Sequence, residues 1–273
     1  MEKIIFFGNG VLAEYALAVF ERECQVIFHA HKKEDLEEAV RLKREFPEAH
    51  GVLASFGVMI PESVLKAFEP EGILNIHPSL LPLYRGATPI ESAILAGDSD
   101  FSVSIMKLVK AMDAGPVYYQ ATLTGAEICK KTSSELVSGL IPPKMAIYQA
   151  LAETGAEWVC SHLTNLPEPT QQKGEPTFCG KMDKTMSLLK PETDTAEEVL
   201  RKIVAFQGYP KPKYAFYGVS CIILEAHIPK SGEGAVLAIP CADGAAVAVD
   251  RLQPEGRKAM EAKAFLNGYR KKV

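Results

Sequence analysis

The fold is decided first by residues 1–30, MEKIIFFGNGVLAEYALAVFERECQVIFHA. The apolar run at residues 4–7 ends in a glycine-containing turn, and the next residues place apolar side chains at helical spacing. A second apolar run follows at residues 26–28. A short apolar strand, a turn, an amphipathic helix and another apolar strand predict a β-α-β unit.

The same alternation continues outward from this unit. Further apolar strands are predicted at residues 52–54, 73–77, 103–108 and 117–123, with helices over residues 33–46 and from Pro61 onward. Repeated units of this kind predict an α/β fold, a Rossmann-like domain with a parallel-rich sheet that helices cover on both faces.

Two capping signatures predict helix starts in the second half of the chain. They lie at residues 132–135 (TSSE) and 195–198 (TAEE). Pro142 and Pro143 predict a break after the first, whereas the second predicts a helix with Val199, Ile203 and Phe206 turned inward.

A stretch rich in proline and glutamine, LPEPTQQKGEPT at residues 166–177, is typical of a linker. Beyond it, short alternating segments at residues 221–224, 235–238 and 245–249 are separated by turns that contain glycine, a pattern that predicts a small β-barrel of the OB type. We therefore expect a catalytic domain over residues 1–165, a linker over 166–182 and a C-terminal β-barrel domain over 183–273.

Composition excludes several classes of protein. With 47% hydrophobic and 23% charged residues, the 273-residue chain is neither disordered nor fibrous. It has no apolar run of the ~20 residues that cross a bilayer and no secretory signal, so we expect a cytoplasmic protein without membrane contact. The six scattered cysteines, without a CxxC pair, are interpreted as isolated reduced thiols and not as a zinc site.

Charge is distributed unevenly along the chain. Residues 1–200 contain 18 Lys and Arg against 28 Asp and Glu, whereas residues 201–273 contain 12 against 6. A basic C-terminal part favours an anionic partner such as nucleic acid, and the alternative is a solvated basic face.

The turn after the first strand fits the dinucleotide-binding pattern G-x-G-x-x-A at residues 8–13. An NAD site also needs an acidic residue at the end of the second strand, where this chain has FHAH at residues 28–31. We therefore predict no NAD site and assign the glycines to close packing of the first helix on the sheet.

Asn75 and His77 are the first candidates for chemistry. They lie two residues apart on a predicted strand, so both side chains leave the same face, near the strand end where ligands bind in open α/β sheets. An amide can donate to a developing oxyanion, and an imidazole can move a proton near neutral pH. The alternative is a buried structural histidine.

Two neighbouring features leave alternatives open. Leu80 and Leu81 before Pro82 either line a pocket for a flat apolar ligand or fill the core. Asp113 in the turn MDAGP is either a turn former or a carboxylate beside His77, where it would raise the basicity of the imidazole and fix its tautomer.

Several segments resemble the 10-formyltetrahydrofolate-dependent formyltransferase family. They are NxHPSLLP at residues 75–82, YRGATPI at 84–90, AGD at 96–98, MDAGP at 112–116, YPKPKYAF at 209–216 and LQPEGRKAM at 252–260. The segment RGATPI is most similar to the branch of this family that formylates methionyl-tRNA. The resemblance covers nearly the whole chain, and it implies a formyltransferase domain followed by a C-terminal tRNA-binding domain.

The resemblance also implies roles for the residues. Asn75 would hold the formyl oxygen, His77 would assist proton removal from the attacking amine, and Asp113 would orient His77. The co-substrate 10-formyltetrahydrofolate brings an activated formyl group, so no metal is expected. The implied folate-binding residues are Phe56, Gly57, Val58, Ile60, Ser79, Leu80, Leu81 and Pro82.

The implied acceptor of the formyl group is the amine of methionine on initiator tRNA. The protein is expected to be a monomer. The implied tRNA-binding residues are Arg85, Gly86, Lys211, Lys213, Arg257 and Lys258, together with the basic residues 270–272. Residues 29–50 depart from the family, since they are shorter and mixed in charge, and Leu83 stands where relatives often have a basic residue.

Two other functions stay open at this point. The first is N-formylation of a nucleotide-linked amino sugar, against which the C-terminal QPxGRK signature argues. The second is a non-catalytic RNA-binding protein, against which the set of Asn75, His77 and Asp113 argues.

Overall fold

The computed structural model describes residues 1–269, which divide into two compact units. The first unit comprises residues 1–90, 100–134 and 145–180, and the second comprises residues 91–99, 135–144 and 181–269. The segment predicted to be a linker therefore belongs to the first unit as far as residue 180. The division into catalytic domain, linker and tRNA-binding domain stays a prediction.

The regular elements follow one another along the described residues. The strands are β1 (Lys3–Gly8), β2 (Gln25–Ala30), β3 (His50–Ala54), β4 (Ile73–His77), β5 (Arg85–Gly86), β6 (Asp100–Lys107), β7 (Val117–Thr124), β8 (Phe178–Cys179), β9 (Lys213–Phe216), β10 (Val219–His227), β11 (Ala238–Pro240), β12 (Ala246–Pro254) and β13 (Met260–Glu261). The α-helices are α1 (Val11–Glu23), α2 (Leu36–Glu45), α3 (Glu62–Ala67), α4 (Pro89–Ala96), α5 (Gly125–Thr132), α6 (Lys144–His162), α7 (Ala196–Ala205) and α8 (Ala262–Tyr269).

The first unit contains a six-stranded sheet with the order β2-β1-β3-β4-β6-β7. Strands β1 to β4 pair in parallel, whereas β6 and β7 are antiparallel to their neighbours. Every residue of β4 is buried, as expected for a strand inside a sheet that is covered on both faces. The predicted α/β fold with a parallel-rich sheet is confirmed.

Gly8 allows α1 to pack closely against the end of β1. A Cβ atom at this position would lie 2.7 Å from the Cβ of Ala13, closer than real side chains approach. The aromatic rings of Phe6 and Phe20 then meet between the strand and the helix, with centroids 5.4 Å apart. The packing role predicted for this glycine is therefore confirmed.

The region around α5 corrects one prediction. Thr132 does not begin a helix but is the last residue of α5, and Ser133 follows it in the left-handed conformation with φ 52°. The capping box lies eight residues earlier, where the Glu127 carboxylate accepts a 2.8 Å hydrogen bond from the Thr124 backbone N–H. The next helix, α6, begins after Pro143, because proline lacks an N–H group and interrupts a helix that precedes it.

The second unit contains an antiparallel sheet with the order β11-β12-β10-β9, to which β13 adds by pairing with β12. The sheet is curled into a half-barrel, and register irregularities in β10 between residues 223 and 226 add bends of the kind that bulges produce. The predicted class of a small C-terminal β domain is confirmed. The strand predicted at residues 235–238 is displaced, since β11 begins at Ala238 after a turn.

Helix α7 contributes its apolar face to the core of the second unit. Val199 and Ile203 belong to one hydrophobic cluster with the inward side chains of β10 and β12, and Phe206 is 2% exposed. Thr195 caps the helix together with Glu198, as the motif predicts.

The six cysteines are free thiols. The prediction that they are isolated is wrong for one pair, because the Sγ atoms of Cys24 and Cys160 lie 3.3 Å apart. Within residues 1–269, no helix combines the length and the apolar character needed to cross a membrane.

Candidate active site

Asn75 and His77 lie at the carboxyl end of β4, with β3 on one side and β6 on the other. Their spacing places both side chains on one face of the sheet. Each residue is only 5% exposed, and burying polar groups costs free energy unless they find partners. The Asn75 side chain forms no hydrogen bond with another described residue, so its amide is available to a ligand.

The imidazole of His77 is oriented by a backbone carbonyl. Its Nε2 atom lies 3.0 Å from the carbonyl oxygen of Tyr84, and because a carbonyl can only accept, Nε2 carries the proton of the neutral ring. Nδ1 then has the free lone pair, and it lies 3.8 Å from Oδ1 of Asp113. The carbonyl of Tyr84 therefore sets the tautomer, with the Asp113 carboxylate beside the unprotonated Nδ1.

Burial determines the charge of His77. It lowers the pKa of the imidazole, and the nearby Asp113 carboxylate and the Tyr84 hydrogen bond oppose that effect. The ring is therefore neutral at pH 7, with Nδ1 able to accept a proton. Asp113 is close enough to stabilise the positive charge that would result.

Asp113 lies in the turn between β6 and β7 and has a left-handed backbone with φ 47°. Its Oδ2 atom accepts a 2.8 Å hydrogen bond from the backbone N–H of Gly86, which leaves Oδ1 for His77. The motif left open whether Asp113 forms a turn or lies beside His77. In the structure it does both, since it lies in a turn and its carboxylate is next to the imidazole.

The loop that follows β4 is attached to β6 through one buried hydroxyl. Ser104 Oγ donates to the carbonyl of Ser79 at 2.6 Å and accepts from the N–H of Leu81 at 3.1 Å. Ser79, Leu81 and Pro82 are buried as a result, whereas Leu80 is 41% exposed. Leu81 is thus a core residue, and of the two leucines only Leu80 presents an apolar surface.

The loop at residues 55–61 follows β3, whose carboxyl end lies beside that of β4 in the parallel part of the sheet. Phe56 and Ile60 anchor this loop in the core at 3% and 8% exposure. Between them, Gly57 is exposed with φ 71°, Val58 is half-buried and Met59 is exposed. The loop is therefore held by two buried side chains, and residues 57–59 between them form its open crest, the part of the loop that solvent reaches.

Gln172 is a site residue that the sequence pattern did not reveal. Arg85, which was predicted to contact the substrate, donates from Nε and Nη2 to Gln172 Oε1 at 3.1 and 2.6 Å. Gln172 Nε2 donates in turn to the carbonyls of Asp113 and Gly115, at 2.8 Å each. It lies in a stretch whose composition is typical of a linker, so no local signal could have identified it.

The predicted tRNA-binding cations of the C-terminal part lie in the second unit. The exposed ones are Lys211, Lys213, Arg257 and Lys258. On β10, Ile222 pairs with Lys213 of β9 on one side and with Gln253 of β12 on the other. Lys213 and the turn after β12 therefore share one end of the sheet. Residues 270–272 lie outside the described residues.

The glycine turn after β1 is bordered by imidazoles. His29, at the end of β2, lies 3.1 Å from the carbonyl of Gly8 through its Nε2 atom, and burial lowers its pKa. His31 packs against it with ring centroids 3.7 Å apart. The described part of the chain contains no group of three or more His, Cys, Asp or Glu side chains that could hold a metal ion.

Residues 12–140 match the family model described as Formyl transferase, and residues 181–270 match Formyl transferase, C-terminal domain. The fold and the buried site thus define a formyl transferase. A methionyl-tRNA formyltransferase of Dehalococcoides mccartyi is 34% identical over 233 residues, which are 80% of this chain and 70% of that protein. One of Thermus thermophilus is 33% identical over 241 residues, 84% and 73% of the two chains. The chain belongs to the methionyl-tRNA formyltransferase family.

Solved structures share the fold over nearly the whole chain. HypX from Aquifex aeolicus in complex with tetrahydrofolic acid has a TM-score of 0.69 at 19% identity, covering 100% of this chain and 48% of HypX. This chain thus spans about half of HypX. A methionyl-tRNA formyltransferase from Clostridium thermocellum has a TM-score of 0.64 at 17% identity, covering 96% of this chain and 100% of that one.

Proposed function

We propose that this protein transfers the formyl group of 10-formyltetrahydrofolate to the α-amine of methionine on initiator tRNA, for translation initiation. The observation that carries the proposal is the pair of buried side chains Asn75 and His77, with the Asp113 carboxylate 3.8 Å from the imidazole, in a chain of this family. We place the enzyme in the cytoplasm, where aminoacylated tRNA is found.

Asn75 is proposed to bind the formyl oxygen. Its amide is buried at a strand end and has no partner among the described residues, so an N–H can be directed to an oxygen that gains negative charge. A positioned donor of this kind contributes about 10²–10³ in rate.

His77 is proposed to accept the proton of the attacking amine. As the nitrogen lone pair forms a bond to the formyl carbon, the amine loses a proton to Nδ1. The bond between the formyl carbon and its original nitrogen then breaks as that nitrogen takes the proton from the His77 imidazolium, so tetrahydrofolate leaves as a neutral amine and His77 is restored. Asp113 stabilises the imidazolium at 3.8 Å, while Tyr84 keeps Nε2 occupied. A general base in this position contributes about 10²–10⁴ in rate.

The folate co-substrate supplies an activated formyl group, and the loops after β3 and β4 fit it. Both loops leave the sheet at neighbouring parallel strand ends, and they present the open crest at residues 57–59 and the exposed Leu80. A flat apolar ring system binds to surfaces of this kind. The buried members of the predicted folate set are proposed to shape these loops, and they are Phe56, Ile60, Ser79, Leu81 and Pro82.

The tRNA is proposed to contact the basic end of the C-terminal sheet. Exposed Lys213 and the turn with Arg257 and Lys258 share that end, and Lys and Arg bind phosphates with little regard for sequence. We expect the affinity for tRNA to fall steeply as salt rises, and a flat salt response would assign these residues to a solvated face.

The test of the acceptor supplies 10-formyltetrahydrofolate with either charged initiator tRNA or a nucleotide-linked amino sugar. We expect formylation of the methionine amine alone. Formylation of the sugar alone would contradict the proposal and establish the alternative activity.

The proposed roles predict that Asn75→Ala and His77→Ala each lower kcat by at least ~10². The matched controls are Asn165→Ala and His31→Ala, since both residues are exposed and lie outside the site. Single-turnover formylation of methionyl-tRNA measures the effect. Wild-type turnover in both site variants would refute the assignment.

A further inference from the structure

The side chain of Gln172 uses its full hydrogen-bonding capacity inside the protein. Both N–H bonds of Nε2 are donated, to the carbonyls of Asp113 and Gly115. Oε1 accepts twice, from Nε and Nη2 of Arg85. A neutral amide can make these four bonds together, because a carboxylate cannot donate and an ammonium cannot accept.

These bonds join the turn of Asp113 to the segment at residues 166–180. That segment is itself attached to the sheet, since Val117 and Thr170 exchange backbone hydrogen bonds of 2.8 Å. It also runs beside the loop after β4, where the N–H of Arg85 donates to the carbonyl of Thr177 at 2.9 Å. Gln172 therefore extends from a fixed support.

Gln172 acts on the part of the turn that decides where the Asp113 carboxylate points. Asp113 has a left-handed backbone, a conformation that is uncommon for residues other than glycine and that Asp and Asn tolerate best. Gln172 holds the carbonyl of this residue, and Gly86 holds one oxygen of its side chain. With backbone and side chain both restrained, the other oxygen stays 3.8 Å from His77.

We propose that Gln172 is a positioning residue that keeps the Asp113 carboxylate opposite Nδ1 of His77. The inference rests on the proposed formyl transfer and adds to it a residue that lies outside the family motifs quoted above. Gln172 acts through the turn and makes no contact with the reacting atoms.

A measurable consequence follows for His77. The charged groups that act on it are Asp113, which raises its pKa, and Arg85, which lowers it. Releasing the turn removes the effect of Asp113, so the pKa of His77 falls further below its usual value. The catalytic step slows at the same time, because the imidazolium loses its counter-charge.

The test compares Gln172→Met and Gln172→Leu with the wild type and with Gln171→Met, the exposed neighbouring glutamine. Met and Leu both remove all four hydrogen bonds and add no charge near Arg85 and His77. In both Gln172 variants we expect kcat to fall about 10- to 10²-fold with little change in KM for 10-formyltetrahydrofolate. We also expect a lower pKa of His77 by NMR titration of the free protein, its signal assigned with a His77→Gln variant.

The outcomes separate this inference from the proposed function. If folded Gln172 variants match Gln171→Met in kcat and in the pKa of His77, the inference is wrong. A fall in kcat without a change in that pKa also overturns it, since the effect then does not pass through Asp113. If Gln172→Met does not fold, the result for Gln172→Leu decides the question. If the wild type does not formylate methionyl-tRNA, the proposed function fails, while the titration still decides whether Gln172 controls His77.

Discussion

The backbone of Gly86 passes closer to β8 than any side chain would allow. A Cβ atom here would lie 2.1 Å from the carbonyl oxygen of Cys179, and φ is 125°, in the region that favours glycine. The same residue donates its N–H to Asp113. The absence of a side chain at one position thus brings three chain segments together at the site.

The close approach predicts that Gly86→Ala is strongly destabilising and inactivating. The conformational strain alone is about 1–3 kcal/mol, and the clash with backbone adds to it because the carbonyl cannot move away freely. Gly180→Ala is the matched control, since a Cβ there meets nothing within 4 Å. Urea unfolding and kcat measure both variants, and equal results for the two would contradict the geometry.

Individual helices show how a local motif competes with its surroundings. Residues 132–135 and 124–127 both fit a capping box, but only the second box is used. Thr132 instead donates its hydroxyl to the carbonyl of Ile128, four residues back within α5. The chain turns between Thr132 and the two prolines, since Ser133 and Ser138 have left-handed backbones and Val137 forms a bridge with Ile141.

This difference predicts unequal effects for two threonines of α5. Thr124→Ala removes the cap and is expected to lower the free energy of unfolding by about 1 kcal/mol. Thr132→Ala is expected to change it much less, because a bond to the carbonyl four residues back does not stabilise a helix. Chemical denaturation measures the free energy of unfolding of both variants. A larger loss in Thr132→Ala than in Thr124→Ala would show that the capping box predicted at residues 132–135 is formed.

For the whole molecule, the histidines of the two units predict opposite responses to pH. Burial lowers the pKa of His29, His50 and His77 in the first unit. In the second unit, the hydrogen bond with Asp250 raises the pKa of His227. Below about pH 6.5 these three histidines become protonated in the unfolded chain but stay neutral in the folded protein. The three side chains therefore lower the free energy of unfolding as pH falls.

The stabilisation from His227 has the opposite sign. It is fully present below the unfolded pKa of about 6.5 and is lost as pH rises through the higher folded value. We expect His50→Gln to gain stability relative to wild type on acidification, and His227→Gln to lose most relative to wild type at acidic pH. Thermal unfolding from pH 5 to pH 8 measures both, and parallel curves for the two variants would contradict the assignment.

The apolar runs were sufficient to predict the sheet, and the spacing of Asn75 and His77 was sufficient to predict that both side chains leave one face of β4. These features depend on periodicity within a few residues, which neighbours along the chain determine. The family was predicted from the motifs at residues 75–90 and 252–260 and the shorter segments that resemble it. The sequence alone also predicted the helix at residues 196–205 from its cap and its apolar face.

Tertiary structure alone decided the contacts that complete the site. It placed Asp113 beside His77, set the tautomer through Tyr84, buried Leu81 while exposing Leu80, and brought Gln172 across 59 residues to the turn of Asp113. Each of these depends on the path of a loop and on a left-handed or glycine turn far along the chain. Such long-range geometry follows from packing of the whole unit, and no local pattern of residue types encodes it.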